Sequence, residues 1–275
     1  MFEAILILFL LGLSLGSFIN VCIYRVPRGI SIVTIPSFCP SCHRTLLWYE
    51  LLPIASFILS KGRCRTCTST IPVRYPFVEA AIGMFFVFLF VLYGITAQFL
   101  FFGPFFVLMF LIAIVDWQHF IVPNQFILAG FVLSGIWQIT FHASGIMQSI
   151  IFSLLTSTTT LLVLYIGNYF IKKETMGLGD VKLAGLIGLY MGFQHFLIAF
   201  WFAAILGSLY GIFKTFLRLH RDTTDNPSSV HETSSGSSSE LRIPFGAFLA
   251  FTSSCVLLLE DQINTLINKW WILIQ

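Results

Sequence analysis

Charge is what this sequence is short of. Only 10% of its 275 residues are Asp, Glu, Lys or Arg, against about 25% in a soluble globular domain. So little charge cannot cover a large water-facing surface, which excludes a soluble domain of this length. A basic stretch ahead of the first apolar run, "MFEAILILFLLGLSLGSFIN", is also absent; Arg25 and Arg28 follow that run. This order speaks against a cleavable signal peptide and predicts an uncleaved first helix. No glycine-rich strand–turn–helix fingerprint for a nucleotide is present, no tandem repeat at a fixed period is seen, and no nucleic-acid partner is expected.

In place of charge stand hydrophobic residues, 57% of the chain, with 31 phenylalanines. Apolar runs able to cross a bilayer, which takes about 20 residues, fall at 2–24, 77–95, 99–115, 125–141, 150–171, 181–193, 195–217 and 244–260. The expected fold class is all-α: a polytopic membrane protein of about eight transmembrane helices with the lipid bilayer as partner. Fourteen of the 15 basic residues cluster in the segments around 25–74, 172–182 and 214–242, and only Lys269 falls elsewhere. By the positive-inside rule those segments face the cytoplasm and both termini lie outside. The expected organisation is a first helix at 1–24, a cytoplasmic domain at 25–76, a membrane core at 77–217, a loop at 218–243, and a last helix with an outer tail at 244–275. Within the loop, "RDTTDNPSSVHETSSGSSSELR" has almost no apolar residues and is expected to be disordered. Gly12 and Gly16, four apart, either admit a neighbouring helix or are incidental.

The cytoplasmic domain holds two Cys-x2-Cys knuckles, Cys39/Cys42 and Cys64/Cys67, with 21 residues between them. Such a pair can close a tetrahedral thiolate site around zinc. The cationic His43, Arg44, Lys61, Arg63 and Arg65 nearby would stabilise the thiolates. Four thiolates leave no open position for water, so the expected zinc is structural. Cys22 and Cys255, alone in apolar runs, are expected to be packing residues.

Acids in or beside the spans are few. Glu79 is expected at the N-terminus of the second span, where a negative charge suits the helix dipole. Asp116, in "FLIAIVDWQHFIVPN", and Asp180, in "GLGDVKLAG", have no such simple explanation. An aspartate in a membrane helix is costly and marks function. Both fall at cytoplasmic ends of their spans, so two helices can bring them to one depth. A carboxylate pair sharing a proton performs general acid and base chemistry on a peptide bond. Gly177 and Gly179 would let the chain turn and a substrate backbone approach. Lys182 would either tune the carboxylate or snorkel to the interface. The alternatives weighed are a proton-coupled transporter and an inactive membrane scaffold with a zinc module.

Taken in order, "GSFINVCIYRVPRG" (16–29), the two knuckles, "WYELLPIASF" (48–57), "RYPFVEA" (74–80), Asp116 seven residues before Pro123, and "GLGDVKLAG" (177–185) resemble the bacterial type IV prepilin peptidases, including competence-type members. The resemblance implies a membrane aspartic endopeptidase of the bacterial inner membrane, its active site facing the cytoplasm, with Asp116 and Asp180 as the catalytic pair. It implies prepilin or pseudopilin substrates cut after a glycine that ends a basic leader. It also implies N-methylation of the new terminus with S-adenosylmethionine. Two departures stand out: "IVPN" where many members have Pro-Asp, and the serine-rich insert.

Overall fold

The computed structural model describes residues 1–141, 143–171, 176–224 and 243–265. Residues 225–242 of the serine-rich insert, Lys172, Lys173 and Lys269 lie outside these; residues 218–224, expected to belong to a loop, instead continue the helix that ends at Thr224. The chain forms helices α1 (Phe2–Arg25), α2 (Ala55–Leu59), α3 (Arg74–Tyr93), α4 (Ala97–His119), α5 (Asn124–Phe141), α6 (Ile146–Ile171), α7 (Leu178–Thr224) and α8 (Phe245–Leu258). Among the described residues there is no strand beyond two isolated bridges, Phe38 with Thr45 and Arg63 with Thr70. Six helices are long and apolar enough to cross a membrane, and α8 is a shorter apolar one. The protein is thus an all-α, multi-pass membrane protein. The 47-residue α7 is broken at Gly192, whose φ of 76° and ψ of 173° are open to glycine alone. With that break, the two arms of α7 and α8 together account for the last three of the eight expected apolar runs.

The chain divides into two compact units, Met1–Leu111 and Ile112 onward. In the first, α1 packs on α3 through small residues. A Cβ on Gly12 would sit 2.7 Å from the Cα of Gly83, and one on Gly16 would sit 2.6 Å from the Cα of Glu79. Of the two readings of those glycines, close helix approach is the one the fold uses. Ile19, Ile23, Val78, Ile82 and Leu89 fill the seam. Phenylalanines extend it, Phe86 meeting Phe99 and Phe85 meeting Phe106 edge to face. Cys22 is buried among these residues.

Glu79 corrects an expectation. The helix starts at Arg74, so Glu79 stands in its second turn, beyond the unpaired N–H groups of the terminus. It is buried, and it accepts the backbone N–H of Ile54 at 2.7 Å. It ties the segment between α1 and α3 to α3 itself.

In the second unit, α7 packs on α6 with Gly185 against Ser157 and Gly188 against Thr156. It packs on α8 through Ala199 and Ala203, and Thr252 of α8 donates its hydroxyl to the carbonyl of Ala199 at 2.9 Å. Trp117 at the end of α4 clusters with Tyr210 and Phe248, fixing that end beside the start of α8.

Candidate functional site

The α4 helix stops one turn after Asp116. Phe120 takes a left-handed φ of 55° and donates its N–H to the Asp116 carbonyl at 2.8 Å. Pro123 then leads into α5, accepting the Phe126 N–H at 3.1 Å. Asp116 is therefore held on the last turn of a rigid helix. Asp180 is the third residue of α7. Its carboxylate accepts the Gly177 N–H at 3.2 Å, while its own N–H donates to the Gly177 carbonyl at 3.1 Å. This is the half of a capping box in which an acid reaches back over the helix start.

The two carboxylates meet at Gly246. A Cβ there would lie 2.7 Å from Asp180 Oδ1 and 3.1 Å from Asp116 Oδ2. Two oxygens at 2.7 and 3.1 Å from one point are at most 5.8 Å apart. Asp116 Oδ2 also accepts the Ala247 N–H at 2.7 Å. Ala247 is the third residue of α8, so this N–H is one that the helix itself leaves unpaired, at the positive end of its dipole. Asp116 and Asp180 are only 5% and 7% exposed. Two acids 64 residues apart in sequence thus share a nearly closed site built from the ends of α4, α7 and α8.

The residues around the acids make specific contacts. Neither Gly177 nor Gly179 has a positive φ. Gly177 contributes its N–H. Gly179 makes room for Val122, whose Cβ would lie 2.9 Å from an added methyl, so the 120–123 turn packs onto the start of α7. Lys182 donates to Asn124 Oδ1 at 2.8 Å, pinning α7 to the start of α5. Gly246 and Ala247 escaped the sequence reading. "IPFGAF" signals a helix start through Pro244, but nothing local says that an acid 130 residues away docks on it.

In the first unit the four knuckle sulfurs all lie within 4.8 Å of one another. Cys39 Sγ and Cys67 Sγ are 3.8 Å apart. Zinc–sulfur bonds of about 2.3 Å in a tetrahedron put sulfurs about 3.8 Å apart, so the donor set fits such an ion. That spacing is far too long for a disulfide, about 2.05 Å. The knuckles repeat each other. Cys39 and Cys64 each donate an N–H five residues ahead, to the Arg44 and Ser69 carbonyls, and accept one from His43 and Thr68. His43 and Thr68 both take a φ of 56°. Glu50 braces the first knuckle: Arg44 bonds it at 2.8 Å and Leu47 N–H at 2.9 Å, which holds its carboxyl below the usual range.

Comparison with known proteins matches both units. Residues 10–93 match the Bacterial Peptidase A24 N-terminal domain, and residues 103–212 match the Type IV leader peptidase family. A Bacillus subtilis (strain 168) protein named Prepilin leader peptidase/N-methyltransferase is 32% identical over 209 residues, covering 74% of this chain and 81% of the relative. The chain belongs to the bacterial type IV prepilin peptidase family. Other relatives of the same name include one from Vibrio cholerae, 31% identical over 225 residues (76% of this chain, 86% of the relative). One from Myxococcus xanthus is 32% identical over 208 residues, 74% of this chain but only 61% of the relative's length. No solved structure matches. The prepilin peptidase family match ends before α8, so Gly246 and Ala247 lie outside it.

Proposed function

We propose that the protein is an aspartic endopeptidase in which Asp116 and Asp180 hold one proton between them and hydrolyse a prepilin leader. The observation that carries this reading is the meeting of both carboxylates at Gly246. One carboxylate takes a proton from the attacking water. The other gives its proton to the carbonyl oxygen, so that a tetrahedral diol forms; as the C–N bond breaks, the first carboxyl passes the water-derived proton to the leaving amine and the second recovers its proton from the diol. Ala247 N–H holds Asp116 in place, and Gly177 N–H holds Asp180. The bond cut follows a glycine that ends a basic leader, on the cytoplasmic side of the inner membrane. The basic loops around 25–74 and 172–182 support that orientation. Cys39, Cys42, Cys64 and Cys67 would hold a structural zinc that folds the 25–76 domain. The names of the relatives extend the reading to N-methylation of the new terminus, for which S-adenosylmethionine supplies the methyl group.

The test is co-expression with a prepilin and mass measurement of its new N-terminus. Asp116→Asn and Asp180→Asn should each lower cleavage by at least about 10²-fold, the usual contribution of one acid or base. Either variant cleaving at the wild-type rate would remove that residue from the mechanism.

A further inference from the structure

Between the two knuckles runs "LLWYELLPIASFIL", residues 46–59, with a single charged residue, Glu50. That charge is turned inward: it is bonded to Arg44 and to the Leu47 N–H, and its side chain is 10% exposed. The apolar side chains are turned outward. Trp48, Leu51, Leu52, Ile58 and Leu59 are all exposed, Leu59 by 71%. So much apolar surface on so short a segment marks an interaction site. An apolar run of this length is too short to span a bilayer, and suits a buried helix or an interfacial segment. The exposure excludes the first.

The depth of the segment follows from Glu79. The α3 helix has 20 residues, about 30 Å at 1.5 Å per residue, which matches the oily layer of a bilayer. Arg74 then marks one edge of that layer and Tyr93 the other. Glu79 stands about 7–8 Å inside the Arg74 edge, and it holds the Ile54 N–H at 2.7 Å. Opposite Glu79 is Gly16, itself about 13 Å before the end of α1 at Arg25. Ile54 is thereby held at the depth of the first turns of α3, whose outer stripe of Phe77, Met84, Phe88 and Val91 is exposed from there onward. A backbone sunk in lipid must satisfy its own polar groups. This one does so at its deepest point: Ile54 N–H is held by Glu79, Ser56 and Ile58 donate to the carbonyls of Leu52 and Ile54 at 3.0 Å, and Pro53 has no N–H to satisfy.

We propose that residues 46–59 lie in the bilayer leaflet on their own side, with Leu51, Leu52, Ile58 and Leu59 among the acyl chains. Trp48 sits at the headgroups, where its amphipathic ring is favoured. The exposed Lys61, just beyond, meets lipid phosphate. The occupant of this surface is lipid because the surface continues, at the same depth, the exposed stripe of a spanning helix. The segment read as wholly cytoplasmic is thus in part a membrane-bound one, and the knuckles at its two ends are held against the bilayer.

The test uses the full-length protein in nanodiscs of phosphatidylcholine and phosphatidylglycerol. A photoactivatable phosphatidylcholine with a diazirine in its acyl chain should label peptides within 46–59 several-fold more per residue than peptides within 61–70. Ile58→Asn combined with Leu59→Asn should lower that label several-fold and leave the label on α3 unchanged. Brominated phosphatidylcholine, with bromine high on its acyl chains, should remove more tryptophan fluorescence from wild type than from Trp48→Phe, a variant that keeps the aromatic bulk. Label confined to the spanning helices, or an equal fluorescence loss in the two proteins, would overturn the assignment. So would crosslinks joining the 46–59 peptides of two copies in photo-leucine-labelled protein, which would make a second chain the cover. None of these readouts needs prepilin cleavage, so the outcome is independent of the peptidase reading.

Discussion

At the scale of single residues, the site depends as much on a missing side chain as on the acids. Gly246 has no left-handed backbone angle, so alanine is tolerated there by the main chain. Its added methyl would nonetheless press on Asp180 Oδ1 at 2.7 Å and Asp116 Oδ2 at 3.1 Å. Gly246→Ala should therefore cut prepilin cleavage by about 10²-fold, as small misplacements of catalytic groups do. The metal content of the knuckles, in the other unit, should be unchanged. Cleavage assays beside metal analysis of the same sample check both halves. The aspartates were legible in the sequence because a carboxylate in an apolar run has few bland explanations. Gly246 was not, because a glycine's use depends on what comes near it. For Lys182 the sequence left two roles open, since a lysine's reach exceeds what spacing can resolve; its bond to Asn124 adds a contact that no spacing pointed to.

At the scale of elements, two packings invite measurement. Gly16 lets α1 come within touching distance of the α3 backbone at Glu79. Gly16→Leu should force these helices apart and destabilise the first unit by about 1–3 kcal/mol, the usual penalty of overpacking. Thermal unfolding in detergent would register it, and an unchanged transition would refute close packing there. The knuckles make a second case. Purified protein kept free of chelator should carry about one zinc per chain, the stoichiometry of a four-cysteine site. Removal of the ion should expose the 25–76 segment to proteolysis while the membrane helices stay folded. The cysteine spacing made this centre legible early. Its internal repeat was not, because the matched hydrogen bonds of Cys39 and Cys64 join residues that differ in type. The apolar runs located the helices well for the same kind of reason: length and hydropathy are local properties. The helix ends came out less well. The α3 helix starts at Arg74 and α4 runs on to His119, because polar residues at an interface can still continue a helix.

At the scale of the whole molecule, the break at Gly192 has a geometric result. The arm of α7 that carries Asp180 runs over residues 178–191, 14 residues. At 1.5 Å per residue it is about 21 Å long. A bilayer's oily interior is about 30 Å deep. On the proposed orientation the α7 arm that presents Asp180 is too short to match it, so the lipid around it must pinch inward or the acid must sit sunk below the headgroups. Either way a dimple forms in the inner leaflet, into which a charged leader can dip while its pilin helix stays embedded. Reconstitution into short-chain phosphatidylcholine should then speed cleavage relative to long-chain lipid, and equal rates in the two would mean that the membrane lies flat over the site.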